Sequence, residues 1–424
     1  MTDRLQRTKF NMLLGPGLLF AATSVGVSHI VQSTRAGAEF GLGLLLTVLL
    51  VNLVKYPAFQ FGAQYALATG ATLLQGYRNI GRWAVLSYGF LNLLIMPVVF
   101  AALSLATSGV IMVITGTGLP ITVISPLLML ACVLLLQFGG YPALEKLVKI
   151  LVIIFTVLTL IATANAMITR DIFSGFTLFP ANLGPGAIFF IVAFIGWMPT
   201  GLEASVWQSM WTLKKAGEKT SDETNRQFRL DFNIGFVGTT LLAVCFIILG
   251  TALMHGEGEH FPASAPAFIA RVIALYSSTI GAWSVPLIGV CTFAVLFSTV
   301  ITVIDGFPRA LMTAAERLKT DEAPWREEHL QKGRLYLVFM IAGCLGAYAL
   351  ILFWTASFKM FIDFATTVSF VYAPVVAYLN HRAMHNPEVP AAQRPRGFID
   401  KLSLLGIVTL SLFAGFYGYL KLFG

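Results

Sequence analysis

Of the twenty acidic residues and six histidines in this 424-residue chain, only His29, Glu203, Asp305 and Asp363 lie deep inside long apolar stretches. The other histidines, His255, His260, His329, His381 and His385, fall in loops or at the ends of apolar runs. A carboxylate facing lipid at the centre of a membrane span costs roughly 2.5–3.5 kcal/mol on insertion scales. These side chains must therefore face one another, water or unpaired backbone. There they can do two kinds of chemistry, holding a cation and carrying a proton, and an imidazole with an ordinary pKa of about 6.5 suits either.

Each group also has a plainer role. His29 is equally suited to capping a broken helix from within the core. Asp305 stands four residues before Arg309, which predicts an intrahelical ion pair. Asp363 lies one turn from Lys359 and is expected to pair with it, while Thr366 and Thr367 point deeper. Arg35 and Glu39, also four apart, form either an outer-gate pair or a solvated one. Glu203 has no partner in its own stretch. A lone carboxylate beside helix breakers marks a functional position.

The composition that surrounds these groups is that of a polytopic membrane protein, 57% hydrophobic and 11% charged, against roughly 25% charged in soluble domains. Runs long enough to cross a core of about 30 Å are expected at about 13–34, 42–66, 84–114, 119–139, 144–168, 187–212, 229–254, 283–312, 333–354, 357–379 and 402–423. Lys55 falls inside the second. The net charge of +8 is explained by topology and requires no nucleic-acid partner. Lys and Arg concentrate in alternate loops, among them Arg4, Arg7, Lys9, Lys214, Lys215, Lys219, Arg326, Lys332, Arg394 and Lys401. Under the positive-inside rule these place the N-terminus in the cytoplasm, the C-terminus outside and the protein in a plasma (inner) membrane. After HGEGEHFPAS a short interfacial helix is expected. Cys132, Cys245, Cys291 and Cys344 stand alone in apolar stretches and carry no metal-binding spacing.

No Walker A loop, dinucleotide glycine pattern, HExxH or GxSxG is present. The chain reads as no enzyme and needs no cofactor. Transport by such a chain would be secondary, driven by an ion or proton gradient, with His29, Glu203 and Asp363 as proton-coupling candidates.

Two of the stretches are interrupted. The first carries Gly26, Ser28 and His29 near its middle, and the sixth carries Gly196, Pro199 and Gly201. Glycine and proline weaken or remove helical hydrogen bonds, and loose backbone at membrane depth is tolerated only where it is buried or lines a cavity. Half-helix ends there offer carbonyls to cations and amides to anions. The segments His29-Ile30-Val31-Gln32-Ser33 and Ser205-Val206-Trp207-Gln208-Ser209 share their Gln-Ser ending. With five spans in each half, the second copy begins from the opposite face, as inverted repeats require. The repeats are expected at about 13–168 and 187–379, with an extra span at 402–423.

At these residues the chain resembles a known family. GPGLLFAATSVGVSHIVQSTRAGAEFG resembles the first span of Nramp-type divalent metal transporters, with GPG at its start, AGAEFG at its end and the same length between. Met198-Pro199 resembles that family's Met-Pro-His. The resemblance implies an all-α membrane protein with eleven transmembrane helices in a LeuT-type five-plus-five inverted repeat plus one helix, spans one and six broken at mid-membrane, in a single transporter domain over 1–424. It also implies proton-coupled uptake of a divalent metal cation by alternating access. The departures fall in the site. Gly26-Val27-Ser28-His29 stands where the family has Asp-Pro-Gly-Asn, and Thr200 where it has His. The candidate substrate-binding residues are Gly26, Ser28, His29, Met198, Thr200, Glu203 and Thr367, with His29, Met198 and Glu203 as candidate metal ligands. A small organic solute or a monovalent cation needs no more than one deep carboxylate and stays open as cargo. So does a non-transporting receptor or scaffold on the same fold. The expected partners are the cargo, protons and the bilayer.

Overall fold

The computed structural model describes residues 16–139, 142–173, 177, 179–180, 183–216, 222–255, 262, 264–320, 333–354 and 358–423. The expectations for Arg4, Arg7, Lys9, Lys219, His260, Arg326, His329 and Lys332 lie outside the described residues. Those described are helical throughout their regular structure. Among the described residues, nine helices are long and apolar enough to cross a membrane by length and composition. The expected stretches 13–34 and 187–212, in contrast, are divided. The first gives α1 (Pro16–Ser24), a wide-turned segment Ser28–Ser33 and α2 (Thr34–Phe40). The sixth gives α8 (Pro185–Gly196) and α9 (Ala204–Ala216).

Between them run α3 (Leu45–Thr69), α4 (Leu73–Ile80), α5 (Arg82–Thr115), α6 (Ile121–Phe138) and α7 (Pro142–Thr169). Beyond them follow α10 (Asp222–Met254), α11 (Ala265–Ile280), α12 (Ser284–Lys319), α13 (Arg334–Trp354), α14 (Phe358–Met384) and α15 (Phe398–Phe423). The short helix expected after the HGEGEH loop is α11, with Phe268, Val272 and Tyr276 packed inward. Gly70 and Gly116 end α3 and α5 in the left-handed conformation, which glycine adopts without a Cβ penalty.

Small residues set how the divided spans pack. Any Cβ at Gly37 would meet the backbone of Ile247, and any at Gly250 the backbone of Thr34. So α2 and α10 touch main chain to main chain, as membrane helices do where small residues meet. Asp231 on α10 accepts the amide of Gly17 at 2.7 Å and satisfies one orphan donor at the head of α1. Broad apolar faces remain outward, including Leu86, Phe90 and Leu93 on α5 and Leu412 and Phe416 on α15. A surface of that kind suits lipid.

Candidate functional site

The first interruption follows from side chains that compete with the backbone. The carbonyl of Ser24 receives the Ser28 hydroxyl at 2.5 Å and lies 2.7 Å from His29 Nδ1. These contacts replace helical N–H donors, and the chain widens into the turn Ser28–Ser33. Ser28 Oγ also lies 3.3 Å from the Pro199 carbonyl. The two interruptions therefore meet.

The second interruption is complemented by charge at both of its ends. α8 stops at Gly196, and the fully buried Lys55 of α3 donates from Nζ to the carbonyls of Ile195 at 2.6 Å and Gly196 at 3.0 Å. A cation is favourable at a helix C-terminus and an anion at an N-terminus. Glu203 supplies the anion, immediately ahead of Ala204, where α9 begins. Its Oε1 accepts the Ser369 hydroxyl of α14 at 3.1 Å, and Ser369 in turn accepts Trp197 Nε1–H at 3.0 Å. Tyr88 of α5 donates to the Glu203 carbonyl at 3.1 Å. Lys55 and Glu203 also attract each other electrostatically.

Ser28, Thr200 and Glu203 come together on one small cavity with Thr23 of α1 and Thr299 of α12, walled by Trp197 and Trp207. Its open volume is about 30 Å³, room for one or two waters or a single ion at roughly 10–15 Å³ each. Among the described residues Glu203 is the one carboxylate lining it. The hydroxyls and the carboxylate make an oxygen donor set, the kind that suits hard cations.

The remaining candidates lie elsewhere. His29 is fully buried, with Nε2 2.9 Å from the Thr239 carbonyl of α10 and Nδ1 against the Ser24 carbonyl. Both nitrogens thus lie against backbone acceptors; Nδ1 also touches the Ser28 hydroxyl at 2.8 Å, and the ring itself does not line the cavity. Met198 is buried in the core and does not line the cavity. A Cβ at Gly26 would lie 2.8 Å from Thr299 Oγ1, so this position is filled by a close approach of α12. Thr367 is half-buried and off the cavity; Ser369, two residues on, is the α14 hydroxyl that reaches Glu203.

Asp363 departs from the expected pairing with Lys359. Its Oδ1 accepts Arg35 Nη1 at 2.9 Å, while Arg35 Nε reaches Glu39 Oε1 at 2.7 Å and the guanidinium covers the Phe190 ring at 4.2 Å from its centre. Arg35 therefore joins the first span to α14 and α8. Asp305 does pair with Arg309, and Tyr336 donates to the same carboxylate at 2.6 Å. Sequence reasoning passed over Lys55, Ser369 and Thr299. An ionisable group at span depth was the available signal for Lys55; nothing local singled out the two hydroxyls.

Two divided helices crossing at their gaps inside an all-helical bundle define the class, an integral membrane protein with the LeuT-type transporter fold. A family model described as natural resistance-associated macrophage protein-like, Nramp, matches residues 17–417. The chain belongs to that family. It is 34% identical over 422 residues to the uncharacterized protein PM0681 of Pasteurella multocida (strain Pm70), covering 97% of this chain and 94% of the other. It is 24% identical over 260 residues to the divalent metal cation transporter MntH of Xanthomonas campestris pv. campestris, covering 58% and 56%. Among solved structures it superposes on the Eremococcus coleocola manganese transporter with a TM-score of 0.69 at 14% identity, covering 97% of this chain and 86% of that one.

Proposed function

We propose that this protein is a secondary transporter that carries a metal cation by alternating access, with the cargo held between the two interruptions against Glu203. The observation that carries the reading is the placement of that carboxylate. It stands at the head of α9, on a cavity otherwise offering the hydroxyls of Thr23, Ser28, Thr200 and Thr299. An all-oxygen set with one anion favours a hard cation that keeps part of its water, rather than a soft ion stripped bare. The names of its relatives, a divalent metal cation transporter and a manganese transporter, support a metal as cargo.

Proton coupling follows from competition at one group, because Glu203 can hold the cation or a proton but not both. Residues 13–168 and 187–379 act as the inverted repeats, with the N-terminus in the cytoplasm of a cell bounded by the inner membrane. Arg35 and Asp363 close one side of the path. A specific observation favours a second cargo. The Lys55 ammonium opposes the charge of Glu203, and a monovalent cation or small organic solute requires less negative charge than a divalent ion.

Calorimetric titration of the purified protein with magnesium, manganese and sodium separates these readings. The proposal requires saturable binding of a divalent ion that Glu203→Gln abolishes. Binding of sodium alone supports the second cargo, and a Glu203→Gln variant that keeps every magnesium and manganese site of the parent refutes the site.

A further inference from the structure

Away from the cavity, the end of α14 and the start of α15 bring together two histidines and an aspartate. His381 and His385 are four residues apart on α14, so they share a helix face, and their rings lie 4.4 Å apart. Asp400 sits in the first turn of α15. One ligand atom from each of the three falls within 4.8 Å of the others.

The hydrogen bonds fix which atoms are free. His385 Nδ1 lies 2.8 Å from the His381 carbonyl, an acceptor, so that nitrogen carries the proton and Nε2 of the neutral ring carries the lone pair. A histidine that donates one N–H to a backbone carbonyl while presenting the other nitrogen is oriented as metal-ligating histidines are. Nε2 lies 3.2 Å from Asp400 Oδ1, and His381 Nδ1 lies 3.9 Å from the same oxygen. Yet Asp400 Oδ1 is buried and accepts no hydrogen bond. The two closest groups are at contact distance without pointing at each other.

Two such atoms at contact distance without a hydrogen bond between them have the arrangement of ligands of one ion, which aim at a shared third point. Tetrahedral ligands at 2.0–2.1 Å from zinc are separated by about 3.3 Å, close to the 3.2 and 3.9 Å found here. The side chains of His381, His385 and Asp400 retain 15%, 29% and 31% exposure, so an ion can enter from solvent. The connection between the helices is held firmly. Asn386 bonds the Gly76 carbonyl at 3.2 Å, and Glu388 accepts Tyr65 OH at 3.1 Å and Asn79 Nδ2 at 2.9 Å.

We propose that His381, His385 and Asp400 bind a divalent transition-metal ion of the zinc class, with water as the fourth ligand, at a site separate from the transport cavity. The Ser403 hydroxyl, 3.1 Å from His381 Nδ1, turns away to free that nitrogen. The bound ion fastens α15 to α14, the helix that carries Ser369 to Glu203.

The test uses the full chain in detergent, with an affinity tag free of histidine, titrated with cobalt(II) as a spectroscopic probe and then with zinc. The parent and Glu203→Gln are expected to develop the intense visible absorption of four-coordinate cobalt at one ion per chain, and zinc to displace it. Asp400→Asn and His385→Ala are expected to weaken binding more than about tenfold. Asp400→Asn keeps the side chain's shape, and its unfolding temperature without metal shows whether the fold survives. Zinc should raise that temperature in the parent and in Glu203→Gln but not in Asp400→Asn. The proposal is overturned if the parent binds cobalt no better than Asp400→Asn, or if Glu203→Gln loses the absorption while Asp400→Asn retains it.

Discussion

The ammonium of Lys55 rests 2.6 Å from the carbonyl of Ile195, so a buried cation from α3 seals the end of a half-helix that opens beside the cavity. The carboxylate of Glu203 complements the opposite end, at the head of α9. The interruption thus carries one basic and one acidic group, one at each end. The Gly196 carbonyl, otherwise open to an ion, is taken by the lysine.

Replacing Lys55 by Met should therefore have two opposed effects. It strands the carbonyl of Gly196, at about 1–3 kcal/mol for the one unsatisfied buried group, and so lowers the unfolding temperature, while the Ile195 carbonyl keeps the Met198 amide at 3.3 Å. It also removes the charge that opposes Glu203, and divalent-ion affinity should rise at least tenfold, about 1.4 kcal/mol. Calorimetry and thermal unfolding on the same preparation measure both. Weaker ion binding in Lys55→Met would show that the lysine serves the cargo directly.

Gly201 is the position where a single methyl group should disable the site without unfolding the protein. A Cβ built there falls on the Glu203 carboxylate, the mobile end of a side chain that can swing aside. Gly201→Ala is expected to leave the unfolding temperature nearly unchanged while cation binding falls at least tenfold. A large loss of stability with binding intact in the folded fraction would contradict this.

Much of this arrangement was legible in the sequence. Gly26, Gly196, Pro199 and Gly201 announce the two gaps, because backbone propensity acts locally and survives any packing. Glu203 stands out through the cost of its charge. The facing of individual side chains was not legible. In the wide turn Ser28–Ser33 the helical period does not hold, so Ser28 meets the cavity while His29, one residue on, turns to Thr239. Met198 and Thr367 were singled out by resemblance, and the chain between Gly196 and Ala204 follows no regular period that could predict where Met198 points. The reach of Lys55 to Ile195 depends on how α3 crosses α8, which no local pattern encodes. Its depth in the second span was nonetheless the same signal that marked Glu203.

Gly26 tests why the family's aspartate is missing. With Thr299 Oγ1 only 2.8 Å from any added Cβ, Gly26→Asp alone should fold poorly or displace α12. Combined with Thr299→Ala, which removes the obstructing hydroxyl and methyl groups, it should recover stability and bind manganese more tightly than the parent. Thermal unfolding and manganese titration of both variants decide the point. Equal stability of the single and double variants would mean that Thr299 yields freely.

His29 should behave as a structural residue. His29→Ala removes the imidazole's contacts with the Thr239 and Ser24 carbonyls, at about 0.5–1.5 kcal/mol for each hydrogen bond lost. Its folded fraction should bind the cargo ion within about threefold of the parent, since the imidazole does not line the cavity. A binding loss comparable to that of Glu203→Gln would restore His29 as a ligand.

The most direct test of the central claim is cation flux into sealed proteoliposomes under an imposed pH gradient, measured for the parent and for Glu203→Gln at equal incorporation. Transport of a metal cation centred on Glu203 predicts divalent-ion uptake by the parent that rises with the inward proton gradient and falls to the protein-free level in the variant. Absence of flux for every cation tested, or equal flux in parent and variant, would contradict it.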